Sequence, residues 1–387
     1  MKFGYRIVSG IIAGVLLFSG MVSAVGSTTT DSLPKDPEWK IALKKLDGFT
    51  EAPYHVPNSN TVYLQSYTLV NSATKVWDVG VVTAADKTTG KEKWSYQFYK
   101  KGTPFPMNTS KFAYSKGGSV YALVSDALGT KLHSVNSSGK SNWTIAVPEV
   151  QDVYAMNDGT LLLVNRFTRD SSGKFKVYAF NANGKKISEQ SVSDMYAVVG
   201  GQYLISQIAK QGSAKLEVFG PKLNRLFTYP LPDGAVTSID EGSWVINNGD
   251  ILIRMNIPKS GNRLISLNSQ GKTLWGRTIA GNASVQSIGD SYVVYENGEM
   301  SLFNSKGLIK KKNIKLDDPM HEILNTPDNK ILVYSENGRS IIDPSTLELI
   351  YNYPFDQKLL NYYYAGDGYL YAISDEYQLL QYKLSKS

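Results

Sequence analysis

From residue 58 onward the chain is built of short apolar runs punctuated by pairs of small, turn-forming residues. Gly117-Gly118 precedes SVYALV, Asp158-Gly159 precedes TLLLV, and Gly200-Gly201 precedes QYLIS. Asn248-Gly249 then precedes DILIRM, Gly289-Asp290 SYVVY, Asp328-Asn329 KILVY and Asp367-Gly368 YLYAI. Asn58-Ser59-Asn60, before TVYLQ, is a looser first member. Such pairs tolerate the positive φ angles that tight hairpins need. The runs are rich in β-branched and aromatic residues that suit a pleated, half-buried surface. Each is therefore predicted to be a strand entered from a tight turn. From Gly117 the markers recur 39 to 48 residues apart, and the wider first interval predicts a longer first unit.

A second pattern runs in phase with the first. DKTTGKEKW (Asp86–Trp94), NSSGKSNW (Asn136–Trp143) and NSQGKTLW (Asn268–Trp275) share a turn, Gly-Lys, two residues and Trp. Degenerate copies are NANGKKIS (Asn181–Ser188), NSKGLIKK (Asn304–Lys311) and DPSTLELI (Asp343–Ile350), and Phe227 holds the aromatic place after Gly220-Pro221-Lys222-Leu223. An aromatic plate here suits wedging between neighbouring sheets, so Trp39, Trp94, Trp143, Phe227 and Trp275 are expected to dock one blade on the next. Each unit reads as strand, tight turn, strand, loop, strand, tight turn, strand. Four antiparallel strands every ~40 residues is the pattern of propeller blades. The fold expected is all-β, an eight-bladed β-propeller of four-stranded antiparallel blades, with seven blades and one mis-parsed unit as the alternative.

The chain ends predict how the ring closes. The last unit offers three strands, Leu360–Ala365, Tyr369–Ser374 and Gln378–Leu384, and then stops. Trp39–Leu46 has the look of a fourth strand with none of its own before it. The N-terminal strand is thus expected to complete the last blade. This places a closing strand at 39–46 and blades at about 49–99, 100–147, 148–192, 193–232, 233–281, 282–316, 317–355 and 356–387, all in one domain, 25–387.

The VYAL-type second strand, the Asn/Asp-x-x-Gly-Lys turn and the following Trp resemble pyrroloquinoline quinone (PQQ)-like repeats. The resemblance covers Trp39 to Leu384 and implies an eight-bladed propeller. Such repeats occur in quinoprotein dehydrogenases and in propellers without a cofactor. The quinoprotein pocket uses a disulfide of adjacent cysteines, and this chain has no cysteine. No segment matches that family's calcium-binding carboxylates either. No cofactor is expected.

Other chemistry finds little support. His55, His133 and His321 show no metal-binding spacing, and no Gly-x-Ser-x-Gly turn or phosphate-binding loop is present. Asp240-Glu241 and Asp317-Asp318 read as solvated turns, since glycosidase carboxyls must face each other across a cleft. Asp170–Gly173 lacks most of the ligands of a calcium loop. No metal and no catalytic residue is assigned.

Residues 1–24 must be set aside. Lys2 and Arg6 precede an uncharged apolar run, Ile7 to Val22, and Val22-Ser23-Ala24 ends it with small residues. This is the layout of a signal peptide, an uncleaved anchor being the alternative, and no cysteine follows for lipid attachment. Export is expected, to the outside of the cell or its envelope, with no transmembrane segment after cleavage. Removing Lys2 and Arg6 lowers the net charge from +7 to +5. That excess suits adsorption to an anionic cell-wall polymer; export and modest charge argue against nucleic acid. The basic run Lys306–Lys315 reads as a solvated strand edge, guarded by lysines against unwanted pairing.

In an up-and-down blade, first-to-second and third-to-fourth turns share one face, and these are short here. The opposite face collects the extra length: Val70–Lys75, Phe167–Lys174, Ala209–Ser213, Ile257–Asn262 and Lys100–Asn108. Length gathered on one face marks the binding side of a repeat protein, and Trp77, Phe105, Arg166, Phe167 and Arg169 are its candidate ligand-face residues. The function expected is a secreted, monomeric, non-enzymatic platform that binds a protein or an anionic cell-envelope polymer. The alternatives are a degenerate quinoprotein or carboxylate-dependent propeller hydrolase, and an envelope scaffold resembling the outer-membrane-assembly propellers. Those propellers are normally lipoproteins, and the attachment cysteine is missing here.

Overall fold

The computed structural model describes residues 36–42, 53–56, 59–71, 76–98, 108–126, 128–193, 195–208, 214–237, 243–314, 322–335, 338–354, 359–374 and 378–384. Of these, 42, 67–71, 76–79, 108–110, 167–168, 354 and 359–362 are described by backbone alone. All lie in the compact unit Asp31–Ser387; the expected signal peptide and His321 fall outside the described residues.

The alternating runs form eight four-stranded antiparallel sheets, arranged in a ring as the blades of a β-propeller. Blade 1 runs from Tyr54 to Gln97, blade 2 from Asn108 to Val147, blade 3 from Asp152 to Val192 and blade 4 from Tyr196 to Pro230. Blade 5 runs from Ser243 to Thr278, blade 6 from Ser284 to Asn313 and blade 7 from Glu322 to Pro354. Blade 8 takes three strands from Leu359 to Lys383 and its outermost strand, Trp39–Ala42, from the start of the chain. That strand pairs antiparallel with Gln378–Lys383, Trp39 opposite Gln381 and Ala42 opposite Gln378. The expected closure is present, and the count is eight rather than seven. Residues 43–46 of the expected closing strand lie outside the described residues.

Position within a blade follows from burial. Second strands are solidly apolar inside, as at Leu161–Val164, where all four side chains are sealed from solvent. Fourth strands alternate exposed and half-buried residues, for example Glu92–Gln97 and Thr273–Thr278, and so form the outer edge. First strands of successive blades lie against one another and line the axis. The apolar clusters straddle blade boundaries. Val56, Tyr63 and Val82 of blade 1 pack with Val120 and Ala122 of blade 2, and Val62 and Leu64 of blade 1 pack with Tyr371 and Leu379 of blade 8. With its core between blades, no blade can bury its apolar faces alone.

The third-to-fourth turns explain the Asn-x-x-Gly-Lys pattern. The Asn136 side-chain oxygen accepts the N–H groups of Ser138 and Lys140, both at 3.0 Å. Asn181 and Asn268 do the same in blades 3 and 5. Gly139 takes φ +77°, and the register shifts by one residue just beside the turn, between Ser134 and Val135. This is a type I turn closed by a glycine bulge.

On the opposite face the structure corrects an expectation. Of the expected length at Val70–Lys75, residues 72–75 lie outside the described residues, but Thr61–Asn71 and Val76–Asp86 are strands of 11 residues each, paired through to Asn71 opposite Val76. Likewise Ile257 pairs with Gly261, and Leu161–Arg169 is a single strand. The added length extends hairpins because each further pair satisfies backbone N–H and C=O groups that a loop would leave to solvent. Trp77, Arg166, Phe167 and Arg169 are consequently strand residues, not loop residues.

Candidate functional site

Each wedge residue meets the turn of the following blade. The Trp39 indole N–H donates to the Lys87 carbonyl at 3.2 Å, Trp94 to Ser137 at 2.8 Å, Trp143 to Ala182 at 2.9 Å and Trp275 to Asn304 at 2.7 Å. The rings lie over the turn glycines so closely that a Cβ on Gly90 or Gly139 would come within 2.6 Å of Trp39 or Trp94. Phe227 covers Gly271 in the same way without a hydrogen bond to give. Second-strand tyrosines pin the inner side: Tyr203 donates to the Gly249 carbonyl at 2.9 Å and Tyr292 to that of Asp250 at 2.7 Å. These residues hold the ring rigid.

On the long-loop side, the end of blade 3 gathers the charged side chains. The Arg166 guanidinium forms an ion pair with Asp152, donates to the Tyr154 hydroxyl at 3.2 Å and lies 5.7 Å from the centre of the Tyr196 ring. Lys111 of blade 2 approaches the other Asp152 oxygen at 3.5 Å. The carboxylate is 8 % exposed, whereas Arg166 is 52 % exposed. Burial opposes the Arg166 charge, but Tyr196 and Asp152 outweigh it and raise its pKa above the ordinary arginine value. Burial also pushes the Tyr196 phenol up to about 12. Arg169 stacks on Phe175 at 5.0 Å and donates to the Gly173 carbonyl at 3.2 Å.

Three blades thus bring Lys111, Asp152, Tyr154, Arg166 and Tyr196 together at the mouth of the channel. The arrangement is a positively charged, aromatic lip whose Arg is held by a buried carboxylate. Of the sequence candidates, the structure places Arg166 in this lip and Arg169 beside it. Trp77 and Phe167 are described by backbone alone, and Phe105 lies outside the described residues. Sequence reasoning missed Lys111, Asp152, Tyr154 and Tyr196. They sit in ordinary first strands, and only their place just after the inter-blade crossing distinguishes them.

The opposite face holds polar cavities beside blade 8. One of about 680 Å³ at the closure seam is lined by Glu38, His55, Asn60, Lys87, Asp328 and Asp367, among others. A second, of about 610 Å³, shares Asp328 and Asp367 and reaches Tyr351. The acids here do structural work: Asp328 accepts the Asp367 N–H at 3.0 Å, tying blade 7 to blade 8, and Gln381 donates to the Lys87 carbonyl at 2.9 Å, tying blade 8 to blade 1. His55 stacks on Tyr371, and burial, followed by the nearby Lys87 charge, lowers its pKa to about 4. Among the described residues, no group of three or more histidine, aspartate or glutamate side chains could hold a metal ion.

A family model of PQQ-type repeats, described as "Outer membrane protein assembly factor BamB", matches the chain over residues 35–198 and 79–304. No curated protein matches it. Among solved structures, Sqt1 of Saccharomyces cerevisiae is similar at 12 % identity and TM-score 0.51, covering 89 % of this chain and 98 % of that one. A eukaryotic initiation factor is similar at 12 % identity and TM-score 0.50, covering 86 % and 83 %. The dihydro-heme d1 dehydrogenase NirN gives 15 % identity and TM-score 0.48; the match covers 79 % of this chain and 66 % of that one. At such identities the likenesses to Sqt1 and to the initiation factor speak to the fold alone.

Proposed function

Since this chain belongs to the family of PQQ-like repeat propellers whose model is described as outer membrane protein assembly factor BamB, we propose that it is an exported, non-enzymatic binding platform that receives a protein partner at its long-loop face. The observation that carries this reading is the lip around Arg166. Arginine and tyrosine are the residues that most often anchor interfaces. Here Arg166 is oriented by Asp152 and Tyr154 while half its side chain faces solvent. An anchor fixed before binding loses little conformational freedom on docking. Two cations around one carboxylate leave the lip positive, so the complementary partner segment is acidic. The ionisable groups at the lip are committed to one another, which suits recognition rather than proton transfer.

A photo-reactive residue at position 169 of the mature chain should give a discrete protein adduct in an envelope extract. Arg166→Gln should remove it, and the same label at Ser138, on the short-turn face, should not produce it. An adduct unaffected by Arg166→Gln would move the interface elsewhere. A raised melting temperature with PQQ and calcium would identify a ligand of the folded state and make the protein a quinoprotein instead.

A further inference from the structure

The outer rim of the short-turn face carries one exposed lysine in each of six consecutive blades. Lys91, Lys140, Lys185, Lys222, Lys272 and Lys306 stand in the third-to-fourth turns of blades 1 to 6. None forms an ion pair with another described residue. Most described strand lysines, by contrast, are paired with a carboxylate within the fold, as in Lys131 with Asp126 and Lys215 with Glu217, both at 3.1 Å. The one carboxylate in these six turns, Asp86, is held by the N–H groups of Thr88 and Thr89 and faces Lys93 at 3.4 Å. Blade 7 breaks the series with Asp343 and Glu348.

A second feature repeats beside the first. Just along the fourth strand from these turns, blades 3 to 6 expose Ile187 (42 %), Leu226 (43 %), Leu274 (37 %) and Ile309 (51 %). In Ile187, Leu226 and Leu274 the aliphatic immediately precedes the wedge position, where blades 1 and 2 carry Lys93 and Asn142.

We propose that this rim docks the propeller, short-turn face down, onto an anionic lipid surface. The six turns lie on one face of the ring, so a plane of lipid phosphates meets them together. An extended polyanion would have to bend round six of the eight blades to do the same. The aliphatic side chains choose between the two: they can enter the headgroup–acyl boundary of a bilayer, while a soluble polyanion offers them nothing. Docking in this way leaves the long-loop face outward, and it does not depend on the partner proposed for that face.

Flotation of the mature chain with vesicles tests this. Binding is expected to mixed phosphatidylglycerol–phosphatidylcholine vesicles, to fall as salt is raised, and to be absent with phosphatidylcholine alone. Each lysine near an anionic surface is worth about 1 kcal/mol, so Lys140→Glu/Lys185→Glu/Lys272→Glu should weaken binding roughly a hundredfold or more. Leu226→Ser/Leu274→Ser/Ile309→Ser should weaken vesicle binding about tenfold and leave binding to inorganic polyphosphate unchanged. Lys174→Glu/Lys259→Glu, on the long-loop face, should bind vesicles like the parent. Polyphosphate binding without vesicle binding would replace the bilayer by a polymer. The proposal is also overturned if the serine variant binds vesicles normally, or if the long-loop-face variant loses as much as the rim variant.

Discussion

At Gly139 the turn and the inter-blade cleft make the same demand. The turn needs a positive φ, and the Trp94 ring leaves no room for a Cβ. Gly139→Ala should therefore cost about 2–4 kcal/mol, from left-handed strain and overpacking together, read from urea midpoints. Tyr203→Phe leaves the Gly249 carbonyl without its buried donor and should cost about 1–3 kcal/mol in the same assay. The two described histidines predict acid sensitivity. Burial, then a neighbouring lysine charge (Lys87 for His55, Lys131 for His133), lowers both pKa values to about 4. The folded values lie below the ordinary 6.5, so the unfolded chain binds protons first as pH falls. Stability from the neutral rings is complete above pH 6.5 and lost between there and about 4, up to about 3 kcal/mol for His55. His55→Phe keeps an aromatic ring against Tyr371 and should flatten the fall of melting temperature with pH; an unchanged slope would exclude His55 as its source.

Between elements, the wedge and the next blade's turn are matched in size. Where the wedge is a plate, the turn has glycine: Trp39 with Gly90, Trp94 with Gly139, Trp143 with Gly184 and Phe227 with Gly271. Blade 3 instead offers Ser188, whose hydroxyl donates to the Lys222 carbonyl at 2.6 Å, and there the turn carries Leu223. Blade 6 offers Lys310, whose ammonium donates to the Ser345 carbonyl at 3.2 Å, and the turn carries Leu347. Both leucines accept positive φ, +61° and +58°, and both are buried, at 6 % and 1 % exposure. A leucine in a left-handed conformation is strained, and burial in the space a Trp would fill offsets the strain. Leu223→Gly should open a cavity and cost about 2–5 kcal/mol. Ser188→Trp alone should also destabilise, and the two together should restore stability, with a coupling energy of about 1–3 kcal/mol in a double-mutant cycle. Simple additivity would refute the matching.

For the whole molecule, the stress falls on the seam between the first and last strands. Trp39–Ala42 supplies the outermost strand of blade 8, the Glu38 N–H donates to the Gln381 carbonyl beside it at 2.7 Å, and Trp39 is also the wedge onto blade 1. A chain beginning at residue 47 keeps seven complete blades but exposes the Gln378–Lys383 edge and opens the seam. It should melt roughly 10 °C or more below the mature protein. An unchanged melting temperature would mean that the ring does not need the closing strand.

Blade number, strand order within a blade, the docking aromatics and the route of closure were legible in the sequence. All four arise from local rules repeated along the chain: positive-φ turn pairs, strands of alternating or solid apolar character, and a glycine–lysine turn three residues before a Trp in blades 1, 2 and 5. Repetition turns weak local signals into a strong one, and a missing strand at one end matches a surplus strand at the other. The long-loop side was read less well. Trp77 and Arg166 looked like loop residues because sequence does not say whether extra length will pair with itself. The Arg166 lip was half legible: the arginine stood out, but Asp152, Lys111 and Tyr196 come from three different blades. Only ring closure brings those first strands side by side and buries the carboxylate that orients the arginine. Four of the six rim lysines, Lys91, Lys140, Lys185 and Lys272, were likewise visible as a Gly-Lys habit. Its meaning depended on learning which lysines the fold neutralises and which it leaves on one plane, and that is decided by tertiary packing.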